Sequence, residues 1–228
     1  EFRARIDAGD YSITPGSPWP SELAVVVDTA RRHDVAVIIE GGTFYGQSAS
    51  VFAEMIPADV ITFEIDPGIA EQARTRVVGL GLGAKVDVRV GDAYVALPPV
   101  CDAAGRHGVF LDGPKGTTAI VLAQVLLERQ IDSMRFIAVH DTYCSRRGRP
   151  NPIRAALAEL GAFTPGWHCW TTDDPAWEAT GARELDWGLY AQHRRLPHGW
   201  EPFTHYLHGV AYASPSYGPT VTILERTL

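Results

Sequence analysis

Acidic residues recur at the ends of short apolar runs, and a rare lysine stands beside one of them. The runs Val35 to Glu40, Val60 to Asp66, Val109 to Asp112 and Phe136 to Asp141 each end on a carboxylate, and Val86 to Val90 leads into Gly91-Asp92. Glu64 lies inside the second run, two residues before Asp66. A carboxylate at such a strand end can accept hydrogen bonds from both hydroxyls of a ribose, or it can be a solvated strand end that binds nothing. Asp66 before Pro67 has the pattern of a helix cap. Lys115 follows Asp112 by three residues, in Gly113-Pro114-Lys115-Gly116. Of twenty basic residues only Lys85 and Lys115 are lysines. A lysine can lose its proton in a desolvated site and an arginine cannot, so Lys115 is a candidate for proton transfer, with an exposed turn lysine as the alternative.

Those residues need a scaffold that brings strand ends together. Between residue 35 and residue 160 the apolar runs alternate with amphipathic stretches, the pattern of βαβ units whose parallel sheet is buried on both faces. Helices are expected at Gln47 to Met55, Pro67 to Leu80, Thr117 to Arg129 and Pro152 to Leu160, with an earlier one from about Ser21 to Arg32. Pro67 and Pro152 suit a first turn, and Gly81 and Gly161 suit exits. The expected fold is α/β, doubly wound and mostly parallel, with helices on both faces. In such sheets ligands bind outside the carboxyl ends of the strands, which makes the acidic rim the expected active face.

The chain is read as one domain, 1–228. It comprises an N-terminal arm and helix (1–33), a core (34–163) and an aromatic-rich lid with a last strand (164–228). The lid region holds Trp167, Trp170, Trp177, Trp187 and Trp200. His205 and His208, three apart there, read as surface or packing residues rather than metal ligands. A net charge of −7 disfavours a phosphate backbone as partner, and the one dense basic group is Arg146, Arg147 and Arg149. Cys101, Cys144 and Cys169 fit neither a disulfide framework nor paired zinc knuckles. No run of about 18 apolar residues is present, so the expectation is a soluble, cytoplasmic protein with a small-molecule partner and neither nucleic acid nor membrane.

The segment Glu40-Gly41-Gly42-Thr43-Phe44-Tyr45-Gly46-Gln47-Ser48 runs from a buried strand through a glycine-rich turn into a helix, a place where backbone can approach a ligand and unpaired N–H groups can meet an anion. A dinucleotide fingerprint fails because Thr43 stands where its second glycine belongs. A phosphate loop is nearer, but Gln47 replaces the lysine that neutralises the phosphates. A hydrolase with a degenerate phosphate loop therefore remains an alternative, as does a non-catalytic domain.

The segment resembles the first motif of class I S-adenosylmethionine-dependent methyltransferases. The resemblance implies a Rossmann-like, seven-stranded sheet and covers about residues 20 to 163. It implies that Glu40 lies near the amino end of the methionine moiety, that Ser48 and the helix N-terminus hold its carboxylate, and that Gly42 and Tyr45 belong to the same loop. Val60 to Asp66 resembles the second motif, giving Glu64 the ribose and Ile65 the adenine face. Val88 to Ala93 resembles the third, with Asp92 and Ala93 at the adenine edge. The segment from Gly108 to Gly116 resembles catechol-type O-methyltransferases, which implies Asp112 beside the cofactor and on a magnesium ion, with Lys115 as general base. On the same resemblance Asp141 is the second metal ligand. Thr142 stands where the family has Asn or Asp, so only a neutral hydroxyl is offered there. His140 is the base if no metal is used. The implied function is methyl transfer to a small-molecule hydroxyl, with magnesium assistance and a homodimer both compatible with it.

Overall fold

A computed structural model describes residues 18, 20–142, 152–172, 203–207, 210–214 and 221–227. Side chains are described for all of these except 203–207 and 210–214. The N-terminal arm, Cys144, the arginines at 146, 147 and 149, His208 and the tryptophans at 177, 187 and 200 lie outside the described residues, as does the His205 side chain.

The helices are α1 (Pro20–Arg32), α2 (Gln47–Met55), α3 (Pro67–Gly79), α4 (Ala93–Ala103), α5 (Thr117–Glu128) and α6 (Pro152–Phe163). The strands are β1 (Val37–Gly41), β2 (Asp59–Glu64), β3 (Val86–Val90), β4 (His107–Leu111), β5 (Met134–Val139), β6 (Trp167–Thr171), β7 (Phe203–Leu207), β8 (Val210–Ser214) and β9 (Thr222–Arg226). Seven strands form one sheet in the order β3-β2-β1-β4-β5-β9-β6, and β7 and β8 pair separately. The five strands from β3 to β5 are parallel, while β9 runs antiparallel to both β5 and β6. The expected doubly wound sheet is present, with a reversed strand inserted near one edge.

The core follows from strand pleating, because successive side chains leave opposite faces. Ile38, Phe110 and Phe136 pack with α1, α2 and α3 on one face; Ile39, Val109, Leu111 and Ile137 pack with α4, α5 and α6 on the other. β4 is buried at every position, which is why it reads as an unbroken apolar run rather than an alternating one.

Caps fix where the helices start. Asp66 accepts from Gly68 N at 2.7 Å and Ile69 N at 3.0 Å at the head of α3, as its place before Pro67 predicts. Asp92 does the same for α4 through Tyr94 N at 2.9 Å. α4 is not among the helices expected from the sequence, and Pro98 and Pro99 sit inside it. Burial of Leu97, Pro98 and Cys101 against the sheet holds it despite the lost backbone bonds. Among the described residues no helix is long and apolar enough to cross a membrane.

Candidate active site

The glycine turn is pinned from both sides. Gly42 N and Thr43 N donate to Phe63 O at the end of β2, at 2.9 and 3.1 Å, while Asp112 N and Gly113 N donate to Gly41 O at 2.9 and 2.7 Å. The β1 and β4 ends come so close that a Cβ on Gly42 would lie 2.5 Å from Gly113 N, and Gly42 already has φ +89°. Gly46 then takes a left-handed conformation to open α2. The turn therefore owes its glycines to a backbone crossing as well as to any ligand.

Under the turn lies Glu40, wholly buried. Its Oε2 accepts from Thr62 Oγ1 at 2.6 Å, which is 2.5 Å from Thr43 Oγ1, and its Oε1 has no partner. Burial pushes the Glu40 carboxyl up to about 8, against the opposing pull of Ser48 and Thr62, and the charges of Asp112 and Glu64 add to the rise. Ser48 is buried beside it in the first turn of α2. The Tyr45 ring packs against Phe44 at a tilt of 48°, with ring centroids 4.1 Å apart.

Glu64 ends β2 and reaches back to the turn. Its carboxylate accepts from Phe44 N at 2.8 Å and Asp66 N at 3.0 Å. Ile65, the next residue, is 68% exposed, an apolar side chain laid open at the rim. Asp92 and Ala93 stand beyond β3, the neighbour of β2, with Asp92 engaged as the α4 cap and Ala93 buried.

A second group gathers where β4 and β5 end side by side. His140 N donates to Leu111 O at 3.0 Å, which sets Asp112, His140 and Asp141 next to one another. The His140 ring spans two carboxylates, with Nδ1 2.5 Å from Asp112 Oδ1 and Nε2 3.0 Å from Glu22 Oε2. Lys115 Nζ donates to Asp112 and, at 2.6 Å, to Asp141 Oδ2, and lies 3.1 Å from His140 Nδ1.

Burial alone would raise Asp112, but His140 and Lys115 outweigh it and hold the carboxyl at about 2. Burial would likewise lower His140, yet Glu22 and Asp112 raise it well above its ordinary range. Lys115 is also raised, the two carboxylates overcoming desolvation. The cluster is thus two cations clasped by three carboxylates.

Lys115, Asp112, His140 and Asp141 come together, as do Glu40, Ser48 and Glu64 around the turn. Thr142 lies apart: it is buried, and its hydroxyl accepts from Thr222 Oγ1 of β9 at 2.8 Å. Ligand atoms of Asp112, His140 and Asp141 lie within 4.8 Å of one another, but the Lys115 ammonium touches all three. Glu22 is the participant that sequence patterns do not single out. Its signal is an acidic residue on the buried side of α1, in line with Val25, Val26 and Thr29.

No family model matches the chain. Protein-L-isoaspartate O-methyltransferases of Thermococcus onnurineus and Ignicoccus hospitalis are 30% and 37% identical over 80 and 82 residues, in each case 35% of this chain. The chain spans little more than a third of the length of these curated relatives, 36% and 38%. Among solved structures, cofactor-bound Rv0187 from MTB aligns with a TM-score of 0.56 and 17% identity, covering 99% of this chain and 87% of that one. The O-methyltransferase from Bacillus cereus in complex with SAH aligns with a TM-score of 0.51 and 14% identity, covering 99% and 89%. At these identities the likeness establishes a shared fold.

Proposed function

We propose that this chain, built on the class I methyltransferase fold, binds S-adenosylmethionine across the carboxyl rim of its sheet and transfers the methyl group to a hydroxyl of a small molecule. The observation that carries this reading is Glu64, a carboxylate at the β2 end that holds Phe44 N of the glycine turn, beside the exposed Ile65. Ribose hydroxyls would donate to Glu64, the adenine would lie on Ile65 with Asp92 and Ala93 at its edge, and the methionine end would reach the turn at Gly42, Tyr45, Ser48 and Glu40. The phosphate-loop reading is weaker, because the Glu64 carboxylate reaches into the turn and opposes a polyphosphate.

Methyl transfer from a sulfonium is an in-line displacement, so the protein must align the acceptor oxygen and manage its proton. The Asp112, Lys115 and Asp141 cluster faces that task. Lys115 carries its proton in the resting site, so its first role is to attract and stabilise an acceptor oxyanion; to act as a base it must first release that proton to solvent, which the Asp112 and Asp141 carboxylates oppose while they hold it. Magnesium does not fit the cluster as built. A hard dication prefers oxygen ligands, yet Lys115 already lies among those oxygens, His140 binds Asp112 through its own proton, and Thr142 faces β9. No step is therefore assigned to a metal.

Calorimetric titration of S-adenosylhomocysteine tests the reading. Micromolar binding is expected, weakened at least ~10-fold in Glu64→Ala, since hydrogen bonds to a charged group contribute about 1.5–3 kcal/mol each. Absence of binding, with stabilisation by ATP instead, would return the phosphate loop. The acceptor panel should hold phenols, sugars and an L-isoaspartyl peptide, the last suggested by the names of the curated relatives.

A further inference from the structure

We propose that Glu40 is the proton-exchanging group of the cofactor site, a neutral acid while the site is empty that releases its proton to solvent when the cationic methionine end settles beside it. This rests on the cofactor reading above and adds a linkage to it.

The geometry supplies the reasons. Glu40 has no exposure, one oxygen takes the Thr62 hydroxyl, and the other is buried without a partner. A buried carboxylate with an empty acceptor is costly, whereas a protonated one needs less from its surroundings. The groups acting on it from neighbouring elements are the Ser48 and Thr62 side chains of α2 and β2, which favour ionisation, and the Asp112 and Glu64 carboxylates of β4 and β2, which oppose it. Asp112 is in turn committed to His140 and Lys115. The ammonium common to S-adenosylmethionine and S-adenosylhomocysteine reverses the balance, and the sulfonium of S-adenosylmethionine adds to it, because a nearby cation favours the carboxylate. The exchange is a single proton: the O–H bond of Glu40 breaks, the proton goes to buffer, and the carboxylate stays with the ligand. Burial, which pushes Glu40 up to about 8, sets the range in which the exchange is visible.

The test is titration of S-adenosylhomocysteine and S-adenosylmethionine into the full chain, in buffers of small and large ionisation enthalpy. At pH 6 to 7, where the ligand ammonium keeps its proton, about one proton should be released per ligand bound, with Kd falling close to tenfold across that unit. Glu40→Gln should bind with no proton exchange and a flat pH profile. In parallel, infrared difference spectra of the wild type should lose a protonated carboxyl band on binding, a readout that stands even if the variant does not fold. Binding without proton release, exchange that persists in Glu40→Gln, or an unchanged carboxyl band each overturns the inference and leaves the cofactor reading intact. No binding in any buffer overturns both.

Discussion

Lys115 is gripped by Asp112 and Asp141 and His140 by Asp112 and Glu22, so each cation is held in place by charge rather than by packing. If Lys115 meets the acceptor oxygen, Lys115→Met should lower single-turnover methyl transfer by about 10²-fold or more, in the range of general acid–base or electrostatic contributions. S-adenosylhomocysteine affinity should stay within about threefold of wild type, since no cofactor contact depends on Lys115; an equal loss in binding and transfer would mean the residue only holds the rim together. Much of this group was legible in the sequence, because Asp112 and Asp141 end apolar runs and Lys115 is one of two lysines. Glu22 was not, since it reaches His140 across 118 positions and looks from sequence like an ordinary acidic first turn. Nor does spacing reveal that Lys115 lies between the carboxylates, a matter of side-chain reach rather than of position.

The turn between β1 and α2 is the element where backbone geometry governs most. Gly42→Ala should destabilise the protein by about 1–3 kcal/mol, because the added Cβ meets Gly113 N at 2.5 Å in a conformation that L side chains avoid. Urea unfolding measures this, and a variant as stable as wild type would show that the turn relaxes freely. The five parallel strands and five of the six described helices follow from periodicity to within a few residues. The sixth, α4, escapes because Pro98 and Pro99 argue locally against a helix that burial then imposes. Strand β6 escapes for another reason, since Trp167 to Thr171 is only partly buried; a last strand is expected within 164–228 and β9 lies there, but its antiparallel place between β5 and β6 depends on partners far away in the chain.

Across the whole molecule, one carboxylate ties the first helix to the last strand. Glu225 of β9 accepts from His33 Nε2 at 2.9 Å and Trp170 Nε1 at 2.8 Å, and pairs with Arg32 at 3.2 Å. Burial would raise its carboxyl, but His33 and Arg32 hold it at about 2, below its usual 4.5. The folded state therefore binds this proton less readily than the unfolded chain. The stability from Glu225 is complete above about pH 4.5 and fades as pH falls toward about 2. Denaturant unfolding at pH 5 and pH 3 should show a smaller loss on acidification in Glu225→Gln than in wild type; an equal loss would place the acid sensitivity elsewhere. The position of that strand also sets an order of events. Among the described residues β6 has no neighbour in the sheet except β9, and β9 bridges it to β5. While the chain is being synthesised, β5 must wait with an open edge of Phe136 to Val139 until residues 222–226 emerge. An open edge of this kind invites pairing with another chain, so the interval before β9 arrives is when a newly made copy is most exposed to capture by its neighbours.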